Sequence, residues 1–175
     1  WAVVFEGVSS TLGRPVSLFS FALQALHWPD NPLPFKLVSL IIHLMNTCLV
    51  FILALELYRF CSPAFRLRLY FAACVSMFWL YLPIHASTVF YVVQRMTMLS
   101  SLFVLIGLWG WLRGIRLADE NQKSLGLGFA SVMVACAYAA GVLSKESAIL
   151  LGVFMLSSLL LLPYRNITLP NYWKG

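Results

Sequence analysis

Phe35 to Tyr58 reads FKLVSLIIHLMNTCLVFILALELY. Charge enters this run only at Lys36, near its start, and at Glu56, near its end. A helix that crosses a bilayer needs about 20 mostly apolar residues, within a range of about 17–25. The run meets that length. In hydrocarbon an open strand would leave its backbone N–H and C=O groups unpaired, so the run must be helical. The alternating polarity of a barrel strand is missing.

Working outward, four more runs read the same way: Leu67 to Leu82, Met96 to Leu112, Leu125 to Leu143, and Ala148 to Leu162. Their expected stops are Pro83 for the second, Arg113-Gly114 for the third and Pro163 for the fifth, with Arg59 and Pro63 closing the first. The expected fold is therefore all-α, a polytopic helical membrane protein with five transmembrane helices. Composition agrees. Hydrophobic residues make up 61%, charged residues 10%, and the mean hydropathy is +0.87. A soluble domain carries about 25% charged residues, and this chain has too little polar surface to coat a soluble globule.

The N-terminal part differs. Val16 to Leu26 is apolar but too short to span, and it reads as an interfacial or re-entrant helix. Ser10 or Thr11 is its expected cap, and Pro15 suits its first turn. Trp28-Pro29-Asp30-Asn31-Pro32-Leu33-Pro34 reads as a turn-rich loop. The expected division is an extracytoplasmic segment over 1–34, a five-helix region over 35–162, and a cytoplasmic tail or connector over 163–175. The chain opens Trp1-Ala2-Val3 without a signal-peptide layout, and both ends read as cuts through a longer protein.

The net charge of +6 does not make a nucleic-acid partner. The basic residues sit in short loops between apolar runs, with no aromatic-interleaved patch. Their distribution has a membrane cause. Arg59, Arg66, Arg68, Arg113, Arg116, Lys123, Arg165 and Lys174 fall on one side of an alternating topology. Arg14, Lys36, Arg95 and Lys145 fall on the other. By the positive-inside bias the first side is cytoplasmic. The expected location is then a bacterial inner membrane, or the endoplasmic-reticulum membrane of a eukaryote, with the second side facing periplasm or lumen. Cys48, Cys61, Cys74 and Cys136 form no CxxC pair and read as small apolar residues.

On the sparsely charged side, few polar residues are available for chemistry. Gly13-Arg14-Pro15 opens the short helix; Pro83-Ile84-His85 and Gln94-Arg95 frame a loop over 83–95; Lys145-Glu146 sits in the Ser144-Lys145-Glu146-Ser147 turn. Each has a plain alternative. Arg14 can snorkel to headgroups, Lys145 can anchor a helix end beside Glu146, Arg95 can cap a helix, and His85 can make a loop hydrogen bond. His43 and Asn46, three residues apart on one helix face, read as interhelical hydrogen-bonding groups. Glu56 beside Arg59 reads as an exposed pair. Glu6 and Asp30 are further carboxylates on the sparsely charged side. Cations at an outer membrane face suit the phosphate of a lipid-linked ligand, which guanidinium binds as a bidentate fork.

Taken in order, these stretches resemble a known family. Gly13-Arg14-Pro15 followed by the Pro34–Asn46 run is similar to the "RPL … hLvNlllH" stretch of GT-C glycosyltransferases of the transmembrane-and-tetratricopeptide-repeat type, relatives of the protein O-mannosyltransferases. Pro83-Ile84-His85-Ala86-Ser87-Thr88-Val89 resembles their "HPIHtEaV" loop, with Ser87 where Glu is frequent. Val93 to Leu99 resembles "vgRadlL", with Gln94 where Gly is common, and Leu143 to Ser147 resembles "LaKE". The resemblance implies a fragment of a GT-C fold and transfer of a sugar from a polyprenyl- or dolichyl-phosphate donor to a protein or glycan acceptor. It implies that Arg14, Arg95 and Lys145 hold the donor phosphate, that His85, Gln94 and Glu146 shape the site, and that a catalytic Asp lies upstream of Trp1. No cofactor or metal-ligand cluster is evident, and a divalent metal stays open. The alternatives are a non-catalytic membrane subunit of a larger complex and a lipid carrier or flippase.

Overall fold

The computed structural model describes residues 14–25, 31–61, 65–119 and 123–168. Glu6, Ser10, Thr11, Gly13, Asp30 and Lys174, all singled out above, lie outside them. Every regular element among the described residues is helical. They are α1 (Pro15–Ala22), α2 (Leu33–Cys61), α3 (Phe65–Tyr81), α4 (Pro83–Phe90), α5 (Arg95–Asp119), α6 (Lys123–Val142) and α7 (Leu150–Thr168). Two 3₁₀ turns, Val92–Gln94 and Glu146–Ile149, lead into α5 and α7.

Among the described residues, three stretches are long and apolar enough to cross a membrane: Leu33–Arg59, Val92–Ala118 and Lys123–Val142. A fourth is reached if α3 and α4 count as one broken span. The fifth expected span is represented by the shorter apolar stretch Glu146–Leu160. The break between α3 and α4 is a 54° bend, and it falls at Pro83. The residue before a proline is pushed out of the helical region, and Leu82 stands at ψ 121° while Pro83 takes the first position of α4. The stretch expected as a loop over 83–95 is thus a short helix followed by a turn. Ile84, Phe90 and Tyr91 on it are exposed, as is Tyr81 at the end of α3, as in an interfacial aromatic belt.

Inside and outside are distributed as in a bundle solvated by lipid. Large apolar side chains such as Leu40, Ile41, Leu44, Phe78, Leu127, Phe154 and Leu160 point outward. Serines, Asn46, His43 and Glu56 are buried. Without a hydrophobic drive between helices in lipid, association relies on close contact and interhelical hydrogen bonds. The packing of α5 against α6 follows that rule. A Cβ on Gly114 would sit 2.5 Å from Ala130 Cβ and 2.7 Å from the Gly126 carbonyl. This explains why α5 runs through the expected stop at Arg113-Gly114: Gly114 is a point of backbone approach, and the helix continues to Asp119. The helix α7 likewise continues past Pro163.

The central helix is α5, with α2 on one side and α6 and α7 on the other. Asn46 Nδ2 donates to the Met98 carbonyl at 3.1 Å, so the expected interhelical role of Asn46 holds. Trp111 Nε1 donates to Ser158 Oγ at 2.9 Å, tying α5 to α7. Glu56 is a correction. It is not an exposed pair: it is 8% exposed, and it accepts from Arg59 Nη1 at 3.1 Å and from Arg116 Nη1 at 2.8 Å. The partner that buries it arrives from α5. Chain direction then sorts the two ends. The starts of α2, α5 and α7 meet the ends of α3 and α6 at the motif end; the opposite, basic end carries Arg59, Arg66, Arg68, Arg113, Arg116 and Lys123.

Candidate functional site

The site is built on the turn between α6 and α7. The backbone there is held tightly, because Ser144 is fully buried and its hydroxyl donates to the Ala140 carbonyl at 2.8 Å. Ser100 of α5 donates to the Lys145 carbonyl at 3.4 Å and lies 3.2 Å from the Ser147 hydroxyl. The start of α1 docks on the same turn: Ser17 Oγ donates to the Ser144 carbonyl at 2.9 Å, and Val16 N–H to the Leu143 carbonyl at 3.3 Å. Pro15 takes the first helical position, as expected, and Arg14 stands at the cap without a side-chain cap bond.

Arg14 adopts φ 47° and ψ 51°, the left-handed region that a β-carbon disfavours. Strain of this kind costs about 1–3 kcal/mol and persists where the surroundings impose it. Its side chain then meets Glu146. Arg14 Nη2 donates to Glu146 Oε2 at 2.9 Å, with the two side chains 22% and 38% exposed. Arg14 Nη1 approaches Met96 Sδ at 3.7 Å. Beside it, Lys145 Nζ donates to Thr97 Oγ1 at 2.7 Å, and Thr97 donates on to Gln94 Oε1 at 3.0 Å. Two cations from distant parts of the chain therefore meet adjacent residues of α5, Arg14 at Met96 and Lys145 at Thr97, with Glu146 of the turn on Arg14. Arg14, Gln94, Lys145 and Glu146, four of the candidate residues, come together here.

Arg95 is placed differently. It has no exposed surface. Nη1 donates to the Ser20 carbonyl at 3.2 Å and Nη2 to the Phe35 carbonyl at 2.7 Å. The guanidinium carbon lies 4.8 Å from the Phe21 ring and 5.4 Å from the Phe35 ring. An arginine cannot shed its charge, so its burial requires carbonyls and aromatic faces of this kind. Arg95 joins α1, α2 and α5, and it positions the segment that carries Arg14 instead of facing the opening itself.

His85 also packs away from the cation pair. Its ring lies 4.6 Å from Trp79 and 5.2 Å from His43, between α4, α3 and α2. Sequence reasoning missed Ser17, Met96, Thr97 and Ser100. Their available signal was small polar residues, or a lone methionine, at the rims of apolar runs, which is too common to single them out. Among the described residues no group of three or more His, Cys, Asp or Glu is placed to hold a metal ion. Compared with known proteins, the chain matches no family model, no curated protein and no solved structure.

Proposed function

We propose that the chain is the membrane-embedded part of a glycosyltransferase of the GT-C type, and that its motif end binds the phosphate of a polyprenyl- or dolichyl-phosphate sugar. The observation that carries this reading is that Arg14, paired with Glu146, and Lys145, bonded to Thr97, come to neighbouring places on α5 and the α6–α7 turn. Among the described residues, this puts two cations beside one carboxylate at the rim of an apolar bundle. A lipid-linked phosphate presents its anion at this depth while its isoprenoid stays in the hydrocarbon. Arg14 offers a guanidinium fork and Lys145 a compact point charge. The strained backbone at Arg14 is consistent with a residue held for binding.

In this reading the sugar passes to an acceptor hydroxyl by direct displacement at its anomeric carbon. A carboxylate takes the hydroxyl proton, and the two cations stabilise the phosphate as it leaves. Gln94 and Thr97 orient Lys145, and Arg95 sets the height of Arg14. Counting the α3–α4 pair and α7 as spans gives five crossings, and the positive-inside bias then turns the motif end toward periplasm or lumen.

The test is transfer of radiolabelled sugar from a polyprenyl-phosphate donor by the protein in its membrane, comparing wild type with Arg14→Gln and Lys145→Gln. Retained helicity and at least a tenfold loss of transfer in both variants supports the enzyme. Transfer unchanged in both variants removes the phosphate role from these residues. Absence of transfer by wild type across a panel of donors favours a non-catalytic membrane subunit.

A further inference from the structure

Resting on that reading, we propose that Glu146 is a resident counter-anion, occupying on Arg14 the place that a ligand phosphate takes, and that binding exchanges one anion for the other. The two cations of the site are not equivalent. Lys145 leans on a neutral hydroxyl, Thr97 Oγ1. Arg14 carries an anion already, through the contact of Nη2 with Glu146 Oε2.

The geometry suits exchange more than permanent clamping. The ion pair is partly open to its surroundings, with 22% of the Arg14 side chain and 38% of the Glu146 side chain exposed. Pairs this exposed contribute little stability. The guanidinium itself is better fixed than its partner. Nε is enclosed, Nη1 rests against Met96, and the backbone is anchored by the docking of Val16 and Ser17 on the turn. Glu146 begins a four-residue 3₁₀ turn directly after the extended Lys145.

Charge complementarity favours the exchange. Among the described residues, Arg14 and Lys145 bring two cations to the site and Glu146 one anion. A phosphodiester supplies a second negative charge, and its oxygens take the guanidinium as a fork, which a single carboxylate contact through Nη2 does not match. Glu146 thus caps Arg14 until a ligand displaces it, sets a threshold for binding, and rejects anions too weak to do so.

The experiment is equilibrium binding of tritiated decaprenyl phosphate to the protein in phosphatidylcholine nanodiscs. The variants are Glu146→Gln, Arg14→Gln and the double variant, with inorganic phosphate as a second probe. The exchange predicts that Glu146→Gln tightens binding about two- to five-fold, the range that release of one partly exposed ion pair supplies. It predicts that Arg14→Gln weakens binding and that Glu146→Gln has no effect in the Arg14→Gln background. Inorganic phosphate competing at millimolar concentration with the same Arg14 dependence would keep the exchange and assign the site to a free anion. If Glu146→Gln weakens binding or leaves it unchanged while Arg14→Gln weakens it, Glu146 is a structural clamp, and the exchange is overturned with the phosphate site intact. If Arg14→Gln and Lys145→Gln both bind as wild type, the phosphate reading falls and the exchange with it.

Discussion

The two ends of the bundle both hold arginine–glutamate pairs, yet the pairs differ in how deeply the carboxylate is buried. At the basic end Glu56 is buried between Arg59 and Arg116, and one of those partners comes from another helix. A carboxylate held by two arginines across α2 and α5 is a structural joint. At the motif end Glu146 pairs with Arg14, and a second cation, Lys145, stands next to it in sequence, on a hydroxyl. Both arrangements set two cations beside one carboxylate, and the first is enclosed. The second is open, so that a ligand anion can reach its cations. Similar residues serve cohesion at one end and reception at the other, and the burial of the carboxylate is what separates them.

The contrast can be broken in several ways. Arg95→Leu should have the largest effect on stability. It removes two charge-assisted hydrogen bonds of about 1.5–3 kcal/mol each and undocks α1. Unfolding in nanodiscs should show a loss of at least about 3 kcal/mol, and Lys at this position should recover only part of it, because it lacks the planar fork. Gly126→Val comes next. A side chain there meets the backbone of Ala118 and the carbonyl of Gly114, so overpacking should cost about 1–3 kcal/mol in the same assay. Glu56→Gln should lose about 1–2 kcal/mol and leave phosphate binding at the motif end unchanged. Lys145→Gln should cost below about 1 kcal/mol of stability while weakening polyprenyl-phosphate binding clearly. A large stability loss from Lys145→Gln with no change in binding would make the two ends alike.

Much of the fold is legible in the apolar runs. The run from Phe35 to Tyr58 lies within α2, and Pro83 marks the break after α3. The gathering of Arg14, Lys145 and Glu146 at one end also follows from counting spans. What the sequence does not display is which polar side chain a neighbouring helix covers. Glu56 next to Arg59 looks like a surface pair until Arg116, sixty residues on, arrives to bury it. Arg95 looks like Arg14, a cation at the rim of a helix, until Ser20, Phe21 and Phe35 enclose it. Gly114 looks like a helix stop because its local propensity is poor, and it is kept in the helix by contact with Ala130 and Gly126. In each case the deciding partner is distant in the chain.

The central claim is that lipid phosphate is received at the motif end and not at the basic end. The most direct measurement is photocrosslinking with a diazirine-bearing polyprenyl phosphate, the diazirine placed beside the phosphate, followed by peptide mapping. The account predicts saturable labelling within Pro15–Ala22, Arg95–Ser100 or Ser144–Ile149, competed by unlabelled polyprenyl phosphate and reduced in Arg14→Gln. Saturable labelling confined to Phe65–Leu69 and Arg113–Ala118, at the basic end, would contradict it.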